Sequence, residues 1–283
     1  MRSLIFLSGL TLIACKKDTD GDGLTDRQEA DFGSDPEKID SDDDGLTDAE
    51  EFDFSSDPNS VDGDGDGYLD LWEVNEGSDP ADADDRIYVG NWPYNPDKDS
   101  YDAPTERGDY ADLDMGAMDE GAPCMRSKML DQFGDQVDLY DFAGQGKYIA
   151  IDISAMWCPP CKSLADAIAK EDSGAGWGKI PDLVHNGDIY WITILAEDNR
   201  GNIPDLEDLQ DWYNDYPDDN VPVLADTEGS DYTRLFASFF PTILVFDENF
   251  NYVQGPEPDI YDEDGNLIEQ HSFDGLVWLN NNL

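Results

Sequence analysis

The sequence predicts an α/β fold in the C-terminal part of the chain, preceded by a repeat segment with little regular secondary structure. Three observations support this prediction. Apolar runs of strand length alternate with amphipathic helical stretches from about residue 122 onwards, as in a sheet covered by helices. Three acidic segments begin at residues 18, 40 and 62, a constant spacing of 22. A Cys-x-x-Cys pair, Cys158 and Cys161, follows one of the apolar runs.

Residues 1–14 are predicted to be a signal peptide. Arg2 supplies a positive charge, and the apolar stretch 4–14 is too short to span a bilayer. The tetrapeptide at 12–15, Leu-Ile-Ala-Cys, resembles a bacterial lipobox, which implies cleavage before Cys15 and a lipid on its sulfur. We therefore expect a tether to the bilayer of the bacterial cell envelope. Lys16 stands where an aspartate often signals inner-membrane retention, which favours the outer membrane. An ordinary secretory signal is the alternative.

The chain is strongly acidic, with a formal net charge of −51 over 283 residues. This charge excludes nucleic acid and anionic lipid surfaces as natural partners, because both repel a polyanion. Repulsion among the carboxylates also opposes compaction unless a counter-charge is bound, and divalent cations are the obvious source. Adaptation to a salty environment is the rival explanation, because the acidic excess continues through the C-terminal half.

The three acidic segments share one pattern of oxygen ligands, over a region that spans residues 15–85. Aspartates occupy positions 1, 3, 5 and 9, glycine occupies position 6, and glutamate occupies position 12. Calcium binds six to eight oxygens, and a glycine lets the chain wrap tightly enough for these carboxylates and the position 7 carbonyl to converge. The predicted ligands are Asp18, Asp20, Asp22, Leu24, Asp26, Glu29, Asp40, Asp42, Asp44, Leu46, Asp48, Glu51, Asp62, Asp64, Asp66, Tyr68, Asp70 and Glu73.

The 22-residue spacing distinguishes these loops from paired helix–loop–helix calcium sites, which need about thirty residues each. Only a short exiting helix fits between position 9 and the Ser-Asp-Pro that follows each copy. The repeats resemble thrombospondin type 3 repeats, which implies a chain wrapped around a row of calcium ions. Because the region has few apolar residues, we expect calcium binding to drive its folding into a rigid spacer. A disordered acidic tether is the alternative.

The remainder divides into a linker and a C-terminal domain. Residues 86–121 contain several prolines and read as a linker whose first half packs on a neighbour. For residues 122–283 we predict strands and helices that alternate. The predicted strands are 136–140, 148–154, 189–195, 221–224, 243–246 and 251–253, and the predicted helices are 161–170, 206–216, 231–237 and 276–280.

The strand predicted at 148–154 leads into the pentapeptide Trp-Cys-Pro-Pro-Cys at 157–161. Two thiols separated by two residues at a strand-to-helix turn can close a small disulfide ring and open it again. The N-terminus of a helix stabilises an anion, which predicts Cys158 as the nucleophilic thiolate. Cys161 lies one turn further into the helix and is predicted to resolve the mixed disulfide.

Two further features accompany the cysteine pair. Asp152 lies six positions before Cys158, and Phe-Pro-Thr at 240–242 directly precedes the apolar run 243–246. Together these motifs resemble the thioredoxin superfamily, in particular its TlpA-like and redoxin branch, over residues 122–283. The resemblance implies a thioredoxin-like fold and an extracytoplasmic thiol–disulfide oxidoreductase. It implies protein disulfides or dithiols as substrates, a membrane redox partner and no organic cofactor.

The resemblance also implies roles for individual residues. Asp152 corresponds to a buried acid that handles the proton of Cys161, and burial inside a strand is expected to raise its pKa. Pro241 is expected to be cis and to face the cysteines, which leaves backbone groups free to pair with a substrate strand. Trp157 is expected to shield the Cys158 thiolate. These five residues are the candidate catalytic set.

Other functions stay open at this point. A calcium-binding surface or adhesion lipoprotein with a non-catalytic redox fold is one alternative. A peroxiredoxin-like peroxidase is another, disfavoured because Ala155 stands where those enzymes place threonine or serine. A copper chaperone would need a wider cysteine spacing and a nearby histidine. Cys124 is left without a predicted redox partner, and we expect it to be a small, partly buried residue.

Overall fold

The computed structural model describes residues 17–104, 119–225, 237, 239–255, 260–261, 267–269 and 273–283. The predicted signal peptide, the predicted lipidation site Cys15, part of the linker and nearly all of the helix predicted at 231–237 lie outside these residues. The chain divides into two compact units, Met1–Ile87 and Tyr88–Leu283. Within the described part of the chain, every helix is too short or too polar to cross a bilayer.

Each acidic repeat contributes one helix of seven residues that starts at position 9 of its pattern. These helices are α1 (Asp26–Phe32), α2 (Asp48–Phe54) and α3 (Asp70–Glu76). The hydroxyls of Thr25 and Thr47 accept hydrogen bonds from backbone N–H groups at the start of α1 and α2. Each helix ends at a residue with positive φ, Gly33, Ser55 and Gly77. The short exiting helix that the repeat spacing predicts is therefore confirmed.

Few apolar contacts hold the repeats together. The side chains at position 7, Leu24, Leu46 and Tyr68, are each no more than 5 % exposed. The rings of Phe32 and Phe52 meet edge to face with centroids 5.2 Å apart, which joins the first repeat to the second. So small a core agrees with the expectation that the repeat unit depends on something other than apolar burial for its stability.

The second unit is built on a mixed sheet of seven strands. Their order across the sheet is β2-β1-β5-β4-β3-β6-β7, and β3 runs parallel to β4 and antiparallel to β6. The strands are β1 (Lys128–Asp131), β2 (Gln136–Asp138), β3 (Tyr148–Ala155), β4 (Ile189–Glu197), β5 (Val223–Ala225), β6 (Thr242–Phe246) and β7 (Tyr252–Gln254). A separate hairpin consists of β8 (Ile260–Tyr261) and β9 (Leu267–Glu269).

Helices cover the sheet and complete the predicted α/β architecture. They are α4 (Pro159–Ala169), α5 (Ile180–His185), α6 (Leu206–Asp215) and α7 (Asp274–Asn282). Ala150 of β3 shares one buried cluster with Leu164 and Ile168 of α4, so α4 lies over the sheet face that carries Ala150. Residues of α5 and α7 join the same cluster. The core under α4 therefore positions the start of this helix at the end of β3.

The predicted strands at 148–154, 189–195, 243–246 and 251–253 are confirmed to within about two residues. The strand predicted at 136–140 is too long. It stops at Asp138, whose carboxylate accepts a hydrogen bond from the Tyr140 amide at 3.0 Å and turns the chain into a 3₁₀ turn. Strand β1 and helix α5 are not predicted from the sequence, because each is too short to give a clear period.

The segment assigned to the linker supplies part of the second unit. The Tyr88 hydroxyl donates to Asp141 Oδ2 at 2.6 Å, and Lys98 Nζ donates to Asp141 Oδ1 at 2.9 Å. Trp92 Nε1 donates to Asp131 Oδ2 at 2.8 Å. All five of these side chains are buried. Residues 88–101 are therefore bound to the sheet by hydrogen bonds to buried carboxylates.

Candidate functional site

Strand β3 and helix α4 position the cysteine pair. Cys158 is the N-cap of α4, and its amide donates to the carbonyl of Ala155, the last residue of β3, at 3.0 Å. Pro159 and Pro160 occupy the first turn of the helix, where a missing N–H costs no helical hydrogen bond. Cys158 and Cys161 form a disulfide with their Cα atoms 5.4 Å apart. The two sulfurs therefore sit at the positive end of the helix dipole.

The two sulfurs lie in an apolar environment. Both residues are buried, with exposed fractions of 0 % for Cys161 and 2 % for Cys158. Both pack in an apolar cluster with Leu195 of β4 and with Leu209 and Trp212 of α6. The Cys161 amide points at Cys158 Sγ from 3.3 Å. A backbone amide is therefore placed to stabilise negative charge on Cys158 Sγ.

A proline segment lies opposite the disulfide. The peptide bond between Phe240 and Pro241 is cis, and the Phe240 carbonyl oxygen is 3.5 Å from Cys158 Sγ. Thr242, the first residue of β6, donates its hydroxyl hydrogen to the Phe239 carbonyl at 2.6 Å. Because β6 pairs with β3, the sheet fixes this segment beside the cysteines.

An exposed indole lies beside the same carbonyl. Trp157 is 48 % exposed, and its ring meets that of Phe240 edge to face at 5.8 Å. Its Nε1 donates to Glu197 Oε2 at 2.7 Å, and Glu197 ends β4 directly opposite Ala155 of β3. This hydrogen bond therefore holds the tryptophan at the carboxyl ends of β3 and β4, where the cysteines lie.

Asp152 lies inside the sheet, where water does not reach it. It is 1 % exposed and lies on the same sheet face as Ala150, which α4 covers. Burial raises its pKa from 3.8 to about 7, and a hydrogen bond of 2.7 Å from the Ser154 hydroxyl lowers the pKa in part. A carboxyl group with this pKa can gain or lose a proton near neutrality.

Sequence reasoning missed two residues of this site, Ser154 and Glu197. Ser154 is two positions after Asp152, so a strand places both side chains on one face. Glu197 is at the carboxyl end of the strand parallel to β3, and such ends meet at one edge of a sheet. Both residues could have been proposed from strand periodicity alone.

The acidic loops hold their carboxylates by a repeated set of backbone hydrogen bonds. In the third loop Asp62 Oδ1 accepts from the Gly65 amide, Asp64 Oδ1 from Asp66, and Asp66 Oδ1 from Tyr68, at 2.8 to 3.1 Å. The first and second loops repeat this arrangement. The aspartates at positions 1, 3 and 5 of each loop offer oxygens within 4.8 Å of one another.

The second oxygens at positions 3 and 5 are buried and have no hydrogen-bond partner among the described residues. These atoms are Oδ2 of Asp20, Asp22, Asp42, Asp44, Asp64 and Asp66. A buried carboxylate oxygen without a partner is unfavourable by several kcal/mol unless a cation or a proton compensates it. The same arrangement of unpartnered oxygens recurs in all three loops and fits a cation.

The glutamates at position 12 face the same groups. Glu29, Glu51 and Glu73 are all fully buried, and both oxygens of Glu29 and Glu51 have no hydrogen-bond partner in the described part of the chain. Burial raises the pKa of Glu51 to about 8, and the carboxylates of Asp42 and Asp44 add to this effect. The pKa of Glu29 rises to about 7 and that of Glu73 to about 8 for the same reasons. All-oxygen groups of this kind fit calcium, a hard cation.

The aspartates at position 9 are placed differently from the other predicted ligands. Asp48 accepts two hydrogen bonds from Ser41, the residue at position 2, through its backbone amide at 2.8 Å and its hydroxyl at 2.9 Å. Asp70 accepts from the Gly63 amide at 2.7 Å, and Asp26 accepts from the Thr19 hydroxyl at 2.7 Å. These carboxylates hold the start of each loop to the start of its helix, whereas both oxygens of Glu29 and Glu51 have no hydrogen-bond partner in the described part of the chain.

Comparison with known families identifies the repeats. A family model described as the bacterial TSP3 repeat matches residues 18–38 and 62–83. The copy between them, which starts at Asp40, has the same ligand pattern and the same hydrogen bonds. No curated protein matches the chain significantly.

Several solved structures are similar to part of the chain. A protein from Bacteroides thetaiotaomicron, proposed to be a protein disulfide isomerase, is 17% identical, covers 60% of this chain and 91% of its own, and has a TM-score of 0.40. The thioredoxin domain of a thiol-disulfide oxidoreductase from Bacteroides vulgatus is 19% identical, with coverages of 49% and 89% and a TM-score of 0.36. An exposed lipoprotein thioredoxin from Streptococcus pneumoniae is 23% identical, with coverages of 50% and 93% and a TM-score of 0.34.

The second unit has a thioredoxin-like fold. Its own geometry supports this assignment, because β3 and β4 run parallel at the centre, β6 and β7 form an antiparallel hairpin, and the cysteine pair opens the helix after β3. This unit is preceded in the chain by acidic loops of the bacterial TSP3 type.

Proposed function

We propose that this chain is a lipid-anchored thiol–disulfide oxidoreductase that works outside the cytoplasm, next to an acidic spacer stabilised by calcium. One observation carries the enzymatic part of the proposal. The Cys158–Cys161 disulfide lies at the start of α4 with Cys158 facing the Phe240–Pro241 segment. This placement combines a reactive sulfur, a helix N-terminus and a free backbone edge.

The proposed reaction is an exchange of disulfides in two steps. In the reduced protein the Cys158 thiolate attacks one sulfur of a substrate disulfide. A mixed disulfide forms, the substrate S–S bond breaks, and the leaving thiolate takes a proton. The Cys161 thiol then gives its proton to the Asp152 carboxylate and attacks Cys158 Sγ. The second substrate thiolate leaves, so the substrate is reduced and the protein is oxidised.

Each site residue has a defined part in this scheme. The Cys161 amide donates toward Cys158 Sγ and stabilises the thiolate. Asp152, whose pKa is about 7, holds or releases the proton of the resolving step. The Pro241 segment leaves its backbone free to pair with an extended substrate chain. Trp157 offers an exposed aromatic surface beside the sulfur, which suits a protein substrate better than a small hydrophilic thiol.

The calcium part of the proposal rests on the unpartnered oxygens of the acidic loops. The aspartates at positions 1, 3 and 5 and the glutamate at position 12 would hold one ion in each loop. Bound calcium supplies positive charge that offsets the repulsion between these carboxylates. Binding would therefore stabilise the folded repeat unit, because the unfolded chain has no preformed site.

The cellular setting belongs to the same proposal. An acylated Cys15 would anchor the chain in the bacterial cell envelope, at the outer membrane. Substrates would be protein disulfides or dithiols, and a membrane redox partner would renew the Cys158–Cys161 pair. The formal net charge of −51 argues against nucleic acid as a partner.

An insulin-reduction assay with the purified full chain tests the enzymatic proposal. We expect turnover with dithiothreitol as the reductant and loss of turnover in Cys158→Ser. Cys124→Ala is the matched control, since Cys124 is buried outside the disulfide and its replacement should leave turnover unchanged. An inactive wild-type protein whose reduced Cys158 also resists alkylation would rule out the proposed activity.

A further inference from the structure

The third acidic loop differs from the other two because an arginine lies beside its ligands. Arg86 Nε is 3.6 Å from Asp66 Oδ2, and the Asp66 side chain is fully buried. The same nitrogen donates to the Ala83 carbonyl at 2.7 Å, which holds the guanidinium in place. Asp66 is at position 5 of its loop.

The oxygen that faces Arg86 is the one left free for a cation. Asp66 Oδ1 already accepts the Tyr68 amide at 2.8 Å, so Oδ2 is the atom directed away from the backbone. The equivalent atoms of the other loops are Asp22 Oδ2 and Asp44 Oδ2. Among the described residues, neither of those aspartates forms an ion pair with a lysine or an arginine. Within the described part of the chain, a positive charge at the position 5 carboxylate is therefore specific to the third loop.

The period of the repeats explains the position of Arg86. A fourth copy would begin at residue 84, which places Arg86 at its position 3, where the three complete copies carry aspartate. At this position the chain has an arginine in place of the aspartate of the three complete copies. The glutamate of the third loop is also engaged differently. Ser78 Oγ donates to Glu73 Oε1 at 3.2 Å, whereas Ser34 Oγ of the first repeat has no hydrogen-bond partner among the described residues.

We propose that Arg86 is a tethered cation that competes with calcium at the third loop and makes it the weakest of the three sites. This inference rests on the proposed calcium binding. An ion in the third loop would have to displace the guanidinium from Asp66 Oδ2 and would be repelled by it afterwards. In the first and second loops the nearby cations, Lys17 and Lys38, pair with Asp26 and Asp43 and not with the aspartate at position 5. These two loops therefore fill at lower calcium concentrations, and the third loop fills last.

The chain contains a reporter for this one loop. Within the three repeats, tyrosine and tryptophan occur only in the third, as Tyr68 at position 7 and Trp72 in α3. Bound terbium accepts energy from nearby aromatic rings, and calcium displaces it. Terbium luminescence that disappears in the double variant Tyr68→Phe/Trp72→Phe therefore comes from the third loop. Calorimetry with calcium measures binding at all the loops together.

The test compares three variants of the full chain. Arg86→Gln should raise the calcium affinity of the third loop by about tenfold and leave the other two affinities unchanged. Arg86→Lys keeps the charge and should stay within about threefold of the wild type. Arg27→Gln is the matched control, because Arg27 is exposed and pairs only with the exposed Asp31 among the described residues.

The outcomes separate this inference from the function on which it rests. If no loop binds calcium in calorimetry, the proposed calcium-stabilised spacer is wrong. If calcium binds but Arg86→Gln leaves the third loop unchanged or weaker, then Arg86 does not compete and the inference is wrong. Equal affinities of all three loops in the wild type would also contradict it.

Discussion

The Ser154 hydroxyl donates a hydrogen bond of 2.7 Å to Asp152 Oδ1 inside the central strand. The two residues lie on the sheet face that α4 covers, and the helix begins with the cysteine pair. Burial raises the pKa of Asp152 to about 7, and the hydroxyl moderates this rise. Strand β3, which leads to the disulfide, therefore contains a carboxyl group, that of Asp152, that titrates near neutral pH.

Asp152 should make the stability of the oxidised protein fall as the pH rises from about 4 to about 7. Its folded pKa lies above the unfolded value of 3.8, so in this window the folded state binds more protons than the unfolded state. Asp152→Asn removes this dependence, and at pH 8 it should be the more stable protein by up to about 4 kcal/mol.

Urea unfolding of the oxidised wild type and of Asp152→Asn between pH 4 and pH 8 measures this difference. The two stability curves should converge near pH 4 and separate as the pH rises. Curves that run parallel over the whole range would mean that Asp152 does not titrate in this window.

The rate of disulfide exchange should depend on the same proton. We expect the rate at which Cys161 resolves a mixed disulfide to rise with pH around a midpoint near 7. Asp152→Asn should lower this rate at pH 8 by about a hundredfold, since general base catalysis of this size is usual. Ser154→Ala removes a hydrogen bond that favours the carboxylate, so its midpoint should move to higher pH. Stopped-flow pH profiles would reveal either change, and identical midpoints for wild type and Ser154→Ala would argue against this role of the carboxylate.

Removal of calcium should unfold the repeat unit and leave the α/β unit folded. Without a cation, the unpartnered carboxylates of Glu29 and Glu51 repel their neighbours, and few apolar contacts oppose this repulsion. Limited proteolysis in chelator should cut within residues 17–87 and spare the sheet. Resistance of this region in both calcium and chelator would show that metal binding does not hold it together.

Lys98 should be needed for the stability of the second unit. It donates to Asp141 at 2.9 Å, and both side chains are buried. Lys98→Ala would leave the Asp141 charge without its cation, which should lower the free energy of unfolding by about 3 kcal/mol. The double variant Lys98→Met/Asp141→Asn has no buried charge and should recover most of this loss. Denaturant titrations test both, and a Lys98→Ala protein as stable as the wild type would contradict the expectation.

The sequence was sufficient to predict those parts of the fold and of the candidate site that depend on local patterns of residues. The acidic loops follow from ligand spacing, and the central strands follow from long apolar runs on either side of Cys158 and Cys161. The residues 88–101 were harder to place, because their partners are far away in the chain. Lys98 and Asp141 are 43 residues apart, and Tyr88 and Asp141 are 53 apart. Periodicity in the sequence cannot predict contacts between residues this far apart, so these two contacts are known only from the tertiary structure.

The most direct test of the redox function is to trap the mixed disulfide. In Cys161→Ser the resolving thiol is absent, so reduced Cys158 should attack a protein disulfide and remain bonded to it. Mass spectrometry should then find a covalent adduct at Cys158. Cys158→Ser, treated in the same way, should give none. An adduct at Cys124 instead, or no adduct with either variant, would contradict the assignment of Cys158 as the nucleophile.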